Sequence, residues 1–252
     1  MSTNFTDPFA RLSSGYAKYR PRYPERLFVH LASLVSRHER AWDCATGNGQ
    51  AALGLAPYFR EVVATDPSEE QIANALSHER IVYAVAPSEE VDIESGSVDL
   101  VTVAQALHWF AHDEFYSEVR RVLAREGVFA AWGYSFIRAP DPVQSVLEEF
   151  HEQVIKPFWL PENRLSDEEF ESLPFPFEEL DAPPLTMEAV WDLNHLTGFL
   201  GTWSVVQRYK DERGVDVLEP LLEKLKYVWG DAERSLEFSW PIKLRVGRLN
   251  IR

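Results

Sequence analysis

Ala41-Trp42-Asp43-Cys44-Ala45-Thr46-Gly47-Asn48-Gly49-Gln50, followed by Val62-Val63-Ala64-Thr65-Asp66, is the stretch that decides the fold class of this chain. An apolar strand ends in an acid and a glycine turn, a helix begins, and a second apolar strand ends in another acid. Glycine lets backbone pass close to a ligand, and an acid closing the second strand can accept hydrogen bonds from ribose hydroxyls. This is the layout of a nucleotide-like ligand site in a doubly wound α/β sheet.

Working outward, strands are predicted at 40–45, 61–65, 81–85, 98–104 and 127–134, and helices at 24–36, 50–57, 68–76 and 113–124. Leu27, Phe28, Leu31, Leu34 and Val35 supply the apolar side of the first helix. Ser68 with Gln71 fits a capping box, and Arg120, Arg121 and Arg125 load the end of the 113–124 helix. Strands rich in Val, Ala and Leu that alternate with helices predict a mostly parallel sheet covered on both sides.

The alternation lapses after about residue 135. Asp141-Pro142 predicts a helix toward Lys156, with Asp141 as N-cap and the proline in the first turn. Prolines then break the chain repeatedly, with a capping box expected at Ser166 and Glu169. A strand is expected at 185–191, helices at 195–210 and 216–229, and an extended segment at 236–249 interrupted by Pro241. The expected organisation is an N-terminal lid and ligand-binding core over 1–136, a cap or specificity elaboration with late core elements over 137–230, and a closing strand within 231–252. The apolar stripe Leu193, Leu196, Phe199, Leu200 and Trp203 is read as packing of the cap helix, and Trp229 and Trp240 likewise as packing residues.

Composition narrows the function. The 252 residues are 45% hydrophobic, enough for one substantial core or a core with a small cap. A formal charge of -15 argues against nucleic acid or an anionic membrane as the main partner. The single cysteine, Cys44, excludes an internal disulfide and a CxxC metal site, and reads as a buried strand residue. With neither an apolar signal segment near Met1 nor an apolar run of spanning length, the expectation is a cytoplasmic protein, monomeric or homodimeric, without stable membrane insertion.

The glycine turn separates two cofactors. A dinucleotide site prefers G-x-G-x-x-G so that pyrophosphate can approach the helix N-terminus, but position 52 is Ala52. S-adenosylmethionine has no pyrophosphate to cradle. Asp43 places negative charge near its sulfonium, and Asp66, seventeen residues after Gly49, suits its ribose. The bland reading is that both acids merely cap adjacent elements.

On these residues the chain resembles the class I S-adenosylmethionine-dependent methyltransferases, whose first motif is acid-x-Gly-x-Gly-x-Gly. Ala86-Pro87-Ser88-Glu89-Glu90 and Ser97-Val98-Asp99-Leu100-Val101 resemble their third-strand and fourth-strand motifs. Tyr16-Ala17-Lys18-Tyr19-Arg20-Pro21-Arg22-Tyr23-Pro24, Gln105-Ala106-Leu107-His108-Trp109-Phe110 and Arg121-Val122-Leu123-Ala124-Arg125-Glu126-Gly127 are similar to the narrower methyltransferase type 11 branch typified by trans-aconitate methyltransferase. The resemblance implies a seven-stranded sheet of order 3-2-1-4-5-7-6 with the seventh strand antiparallel, flanking helices and an inserted helical cap. It implies cofactor contacts from Asp43, Ala45, Gly47 and Gly49 on the methionyl side, Asp66 on the ribose, Ser88 and Glu89 beside the adenine, and Gln105 at the fourth strand's end. Ala45 stands where the family has its first glycine. A negative φ there would cost little, and a positive φ would add strain.

The expected acceptor is a small molecule, with an organic or fatty carboxylate foremost. A carboxylate is already nucleophilic, so positioning and desolvation supply much of the catalysis. Its donors would come from Tyr16, Tyr19, Arg20, Arg22, Trp132, Tyr134 and Arg138. Arg20 offers a charge-assisted fork; its bland reading is an ion pair or lid clamp. Tyr16 and Tyr19 would close over the cofactor or simply pack the N-terminal segment. His108 is the candidate general base, against plain packing beside Trp109 and Phe110. His112 completes no metal-ligand set, so no metal is expected. There is no Asn/Asp-Pro-Pro-aromatic motif of nucleic-acid base methylation and no G-x-S-x-G hydrolase elbow. The alternative function is a non-catalytic S-adenosylmethionine-binding regulator or scaffold.

Overall fold

The structure, a computed structural model, describes residues 19–159 and 170–249. Tyr16 and the Ser166–Glu169 capping box lie outside the described residues. The chain falls into two compact units. One gathers Arg22–Ser135, the described part of Glu162–Thr186, and the segment from Pro241; the other gathers the described part of Met1–Pro21, Phe136–Pro161 and Met187–Trp240.

The first unit carries the βαβ succession. It runs α1 (Glu25–Ser33), β1 (Arg40–Cys44), α2 (Gln50–Leu55), β2 (Glu61–Asp66), α3 (Glu69–Ala73), β3 (Ile81–Val85), β4 (Val98–Ala104), α4 (Asp113–Val122) and β5 (Leu123–Tyr134). Strands β1 to β5 are joined in parallel, with Asp43 beside Ala64 and Cys44 beside Thr65. The chain continues through α5 (Val143–Phe150), β6 (Glu178–Leu180), β7 (Leu185–Trp191), α6 (Leu193–Gly201), α7 (Ser204–Arg213), α8 (Leu218–Trp229) and β8 (Leu236–Arg248). The sheet order is β3-β2-β1-β4-β5-β8-β6, with β7 also on β8. Strand β8 is antiparallel to β5. This is the implied order, with its sixth strand in two pieces. Pro183 and Pro184 fall in the gap, where neither can donate to a ladder.

Period-two alternation divides the core between two sheet faces. Ala41, Leu100, Val128, Ala130 and Trp132 face Leu27, Leu31 and Leu55 of α1 and α2. Trp42, Val101, Val103 and Phe129 face Phe115, Tyr116 and Val119 of α4. Burial on both faces is why these strands read as near-continuous apolar runs.

Several boundaries move. Helix α4 stops at Val122 instead of residue 124, because Leu123 pairs with Val98 and both Leu123 and Ala124 bury their side chains. Arg125 therefore lies on β5 and does not load a helix end. Helix α5 begins at Val143 with Pro142 in the N-cap position, so Asp141 is not the cap, and it passes into a π-helical turn at His151–Ile155. Pro241 does not interrupt β8. Its carbonyl accepts from Ser135, and its missing N–H falls between the Ile242–Tyr134 pair and the Arg138–Ser239 bridge. In the second unit Leu193, Leu196, Phe199 and Leu200 are buried as the stripe requires, as are Trp229 and Trp240. Among the described residues no helix is long and apolar enough to cross a membrane.

The seat of α2 on α1 depends on Gly54, where a Cβ would come within 2.0 Å of the Phe28 ring. Gly54→Ala should therefore destabilise the fold by about 1–3 kcal/mol through overpacking, outweighing the better helix propensity of alanine. Urea denaturation would show this, and Phe28→Leu in the same chain should return part of the loss.

Candidate cofactor site

Strands β1, β2 and β4 lie side by side and end together, bringing Asp43, the glycine turn, Asp66 and Gln105 to one sheet edge. Asp43 is fully buried. Its Oδ2 accepts from Thr46 Oγ1 at 2.5 Å, its Oδ1 from Thr102 Oγ1 at 2.8 Å, and the Ala52 N–H also donates to it. Burial outweighs these bonds and, with the nearby charge of Asp66, pushes its carboxyl up to about 6. Asp66 spans two loops: Oδ2 accepts the Gly47 N–H at 2.8 Å and Oδ1 the Ser68 N–H at 2.9 Å. The second acid thus holds the first acid's turn. Ser68 Oγ in turn accepts from Gln71 N, capping α3 as its sequence signal requires.

The turn is left-handed at Ala45 (φ 54°), Gly47 (φ 55°) and Gly49 (φ 86°), and Gln105 repeats this at the end of β4 (φ 58°). The positive φ settles the question at Ala45: its methyl group carries strain. Gln105 is fixed by its N–H, which donates to Trp132 O at 2.8 Å. The two glycines answer different demands. A Cβ on Gly47 would find only Gln71 Oε1, at 3.9 Å, so this side of the turn is open. A Cβ on Gly49 would lie 2.1 Å from the Tyr83 hydroxyl.

Ser88 is buried on the loop after β3, a loop tied to β2 by Ala86 N–H donating to Asp66 O. Glu89 Oε1 lies 3.1 Å from His112 Nε2. His112 caps α4, its Nδ1 accepting from Phe115 N, so it is spent on a helix end and a carboxylate. His108 is partly buried with its ring 4.9 Å from that of Trp109, and burial pulls its imidazole down to about 4. It is neutral at pH 7 and a weak proton acceptor. Burial, with Asp43, Asp66 and Glu89 nearby, holds the Cys44 thiol protonated. No group of three potential metal ligands occurs among the described residues.

The acceptor-side candidates divide between the units. Trp132 and Tyr134 end β5 in the first unit. Trp132 is wholly buried against Tyr23 and Phe28, and its Nε1 has no hydrogen-bond partner among the described residues. Arg22 begins the same unit and is exposed. Tyr19, Arg20 and Arg138 belong to the second. Tyr19 meets His195 edge-on at 5.3 Å and lies against Gly198. Arg20 donates from Nε to Thr202 Oγ1 at 2.9 Å and from Nη2 to Thr202 O at 3.3 Å, over the Phe199 ring, which clamps the end of α6. Arg138 is exposed, and its backbone pairs with Ser239. Sequence reading missed Thr46, Thr102 and Tyr83. A threonine three residues after a strand-ending acid was a visible signal for the first. The other two are long-range packing partners.

Two outcomes follow from this geometry. Ala45→Gly should stabilise the protein by about 0.5–1 kcal/mol, as relief of roughly 1–2 kcal/mol of left-handed strain exceeds the extra chain entropy of glycine; urea denaturation checks it. His108 sits below its unfolded value of 6.5, so its contribution is fully present above pH 6.5 and is lost as pH falls through 4. Asp43 acts oppositely: its contribution is present below 3.8 and lost as pH rises through about 6. His108→Gln should therefore reduce the acid-side loss, changing the slope of stability against pH by up to about 1 kcal/mol per unit in this window. An unchanged slope would contradict the assignment.

A family model described as "Methyltransferase domain" matches residues 42–131, from β1 through most of β5. A Dictyostelium discoideum protein, provisionally named a methyltransferase, is 31% identical over 254 residues, spanning 98% of this chain and 96% of its own. A protein of Saccharomyces cerevisiae, named a probable S-adenosylmethionine-dependent methyltransferase, is 33% identical over 131 residues, covering 48% of this chain and 45% of that protein. The solved structure of a provisionally named type II methyltransferase from Anaeromyxobacter dehalogenans shares 43% identity at a TM-score of 0.85, over 91% of this chain and 98% of the other. The site fits the cofactor these likenesses imply. Gly47 leaves an open backbone cradle, Asp66 is an oriented acceptor suited to ribose hydroxyls, and Asp43 and Asp66 supply negative charge for a cationic ligand. The chain belongs to the methyltransferase type 11 family of class I methyltransferases, and is an enzyme that uses S-adenosylmethionine.

Proposed function

We propose that this enzyme methylates the carboxylate of a small organic or fatty acid, in the manner of the trans-aconitate-like branch of its family. The observation that carries this reading is the placement of His108 at the centre of the 3-10 turn Leu107–Trp109 after β4, part-buried with its ring against that of Trp109, where burial lowers its basicity. A phenol, alcohol or ammonium acceptor must lose a proton to react, which calls for a base matched to neutral pH. A carboxylate is ionised already, and a group that protonates only near pH 4 is no handicap to it. The bound cofactor supplies an electrophilic methyl group on a sulfonium; the protein's part is to bind, align and desolvate.

On this reading Asp43 and Gly47 hold the methionyl side, with Ala45 and Gly49 shaping the turn. Asp66 holds the ribose, Ser88 and Glu89 flank the adenine, and Gln105 marks the acceptor side. Trp132 supports the anionic acceptor: a buried indole N–H without a partner among the described residues costs free energy unless a ligand accepts from it. Tyr134, at the end of the same strand, is proposed on the acceptor side with Trp132; Tyr16, Tyr19, Arg20 and Arg138 are separate proposals for acceptor contact. The bonds from Arg20 to Thr202 hold its guanidinium at the end of α6.

Mass spectrometry of products from a panel of organic and fatty acids, phenols and amines tests the acceptor class. A base-labile methyl ester is expected, and exclusive N-methylation or ether formation would overturn the proposal. Trp132→Phe should leave stability within about 1 kcal/mol, as removal of an unbonded buried donor offsets the smaller ring, while turnover of the acid falls at least about tenfold. Arg20→Ala should lower turnover far more than cofactor affinity if Arg20 is the anchor, and equal effects on both would remove it from that role.

A further inference from the structure

Gly49 differs from Gly47 in having its Cβ position already filled. The Tyr83 side chain projects from β3 so that its hydroxyl lies 2.1 Å, and its ring carbons 2.9 and 3.0 Å, from where a Gly49 Cβ would stand. The same hydroxyl donates to Leu76 O at 2.9 Å, and Leu76 N–H donates to Asn48 O, between the two glycines, at 3.4 Å. These contacts close a ring running from the glycine turn to the α3–β3 loop, to the β3 side chain and back to the turn. Tyr83 also packs on the core face shared with α2, whose first residue follows Gly49 directly.

We propose that Tyr83 is a positioning residue for the cofactor turn, seating Gly49 from one side and tying the turn to Leu76 through its hydroxyl. The physical need is plain. Gly47 and Gly49 each have glycine's conformational freedom, and the turn's bonds, Thr46 N–H to Thr65 O, Gly49 N–H to Thr46 O, Gly47 N–H to Asp66 and Thr46 Oγ1 to Asp43, leave the far side of Gly49 to be seated by packing. A cradle that must be ordered at each binding event loses affinity to that ordering, and a ring held against it removes the loss beforehand. Any larger side chain at the second glycine would have to displace this ring. The ligand thus meets the turn at Gly47, while Gly49 belongs to the protein's own packing.

The inference rests on the cofactor reading above, and the test separates the two. Calorimetric titration of S-adenosylhomocysteine into wild type, Tyr83→Phe and Tyr83→Ala, well below their melting temperatures, gives the dissociation constants. Tyr83→Phe keeps the ring and loses the tie to Leu76, so affinity should fall about fivefold, the size of one ordinary hydrogen bond. Tyr83→Ala loses both, with a fall of at least about thirtyfold. The KM for S-adenosylmethionine should rise in parallel while kcat at saturating cofactor stays within about twofold, a split that general destabilisation does not produce. Gly49→Ala should cost far more in the wild-type background than beside Tyr83→Ala, since the clash is then gone and only the left-handed strain remains. If wild type fails to bind, the cofactor reading fails. If wild type and Tyr83→Phe bind equally, or Gly49→Ala costs the same in both backgrounds, the role of Tyr83 is overturned while the cofactor reading stands.

Discussion

One carboxylate couples the two halves of the ligand-binding edge. Asp66 closes β2, yet its oxygens are taken up by the Gly47 N–H of the β1 turn and the Ser68 N–H that opens α3. Hydrogen bonds to an ionised acceptor are about twice as strong as neutral ones, so the relative placement of two loops depends on this group. Asp43 does the corresponding work one strand away, gathering Thr46, Thr102 and Ala52 around a buried charge. The acids that first read as ligand contacts are also the braces of the cradle.

The cost of this arrangement is visible in the backbone. Ala45 and Gln105, both just beyond strand ends, are held in a left-handed conformation that favours glycine. Such residues persist where surrounding structure over-determines them, and they gather at binding sites. Here the over-determination is concrete: Thr46 N–H to Thr65 O pins the turn after Ala45, and Gln105 N–H to Trp132 O pins the end of β4. The buried acid and the part-buried imidazole add opposite dependences on pH, one favouring the fold in acid and the other at neutrality.

Much of this was legible in the sequence because it was local. The strands announced themselves by Val, Ala and Leu between turn residues, and the first motif by an acid, two glycines and a second acid at strand spacing. The misses were places where distant packing decided. Leu123 and Ala124 continue a helical pattern, but Leu123 pairs with Val98 and both side chains are buried on β5, and Pro241 looks like a break until the register shows that its missing N–H falls between paired positions. Tyr83 was invisible because nothing in Ile81-Val82-Tyr83-Ala84-Val85 says which turn its ring will meet. Arg20 could be singled out as a cation near an aromatic segment, but its bonds to Thr202, far along the chain, could not.

This glycine turn and its two acids suit S-adenosylmethionine and not a dinucleotide. Calorimetric titration of the purified protein with S-adenosylmethionine and, separately, with NAD tests it most directly. Saturable one-to-one binding of S-adenosylmethionine with no heat from NAD is the result predicted. Saturable binding of NAD with no response to S-adenosylmethionine would contradict it.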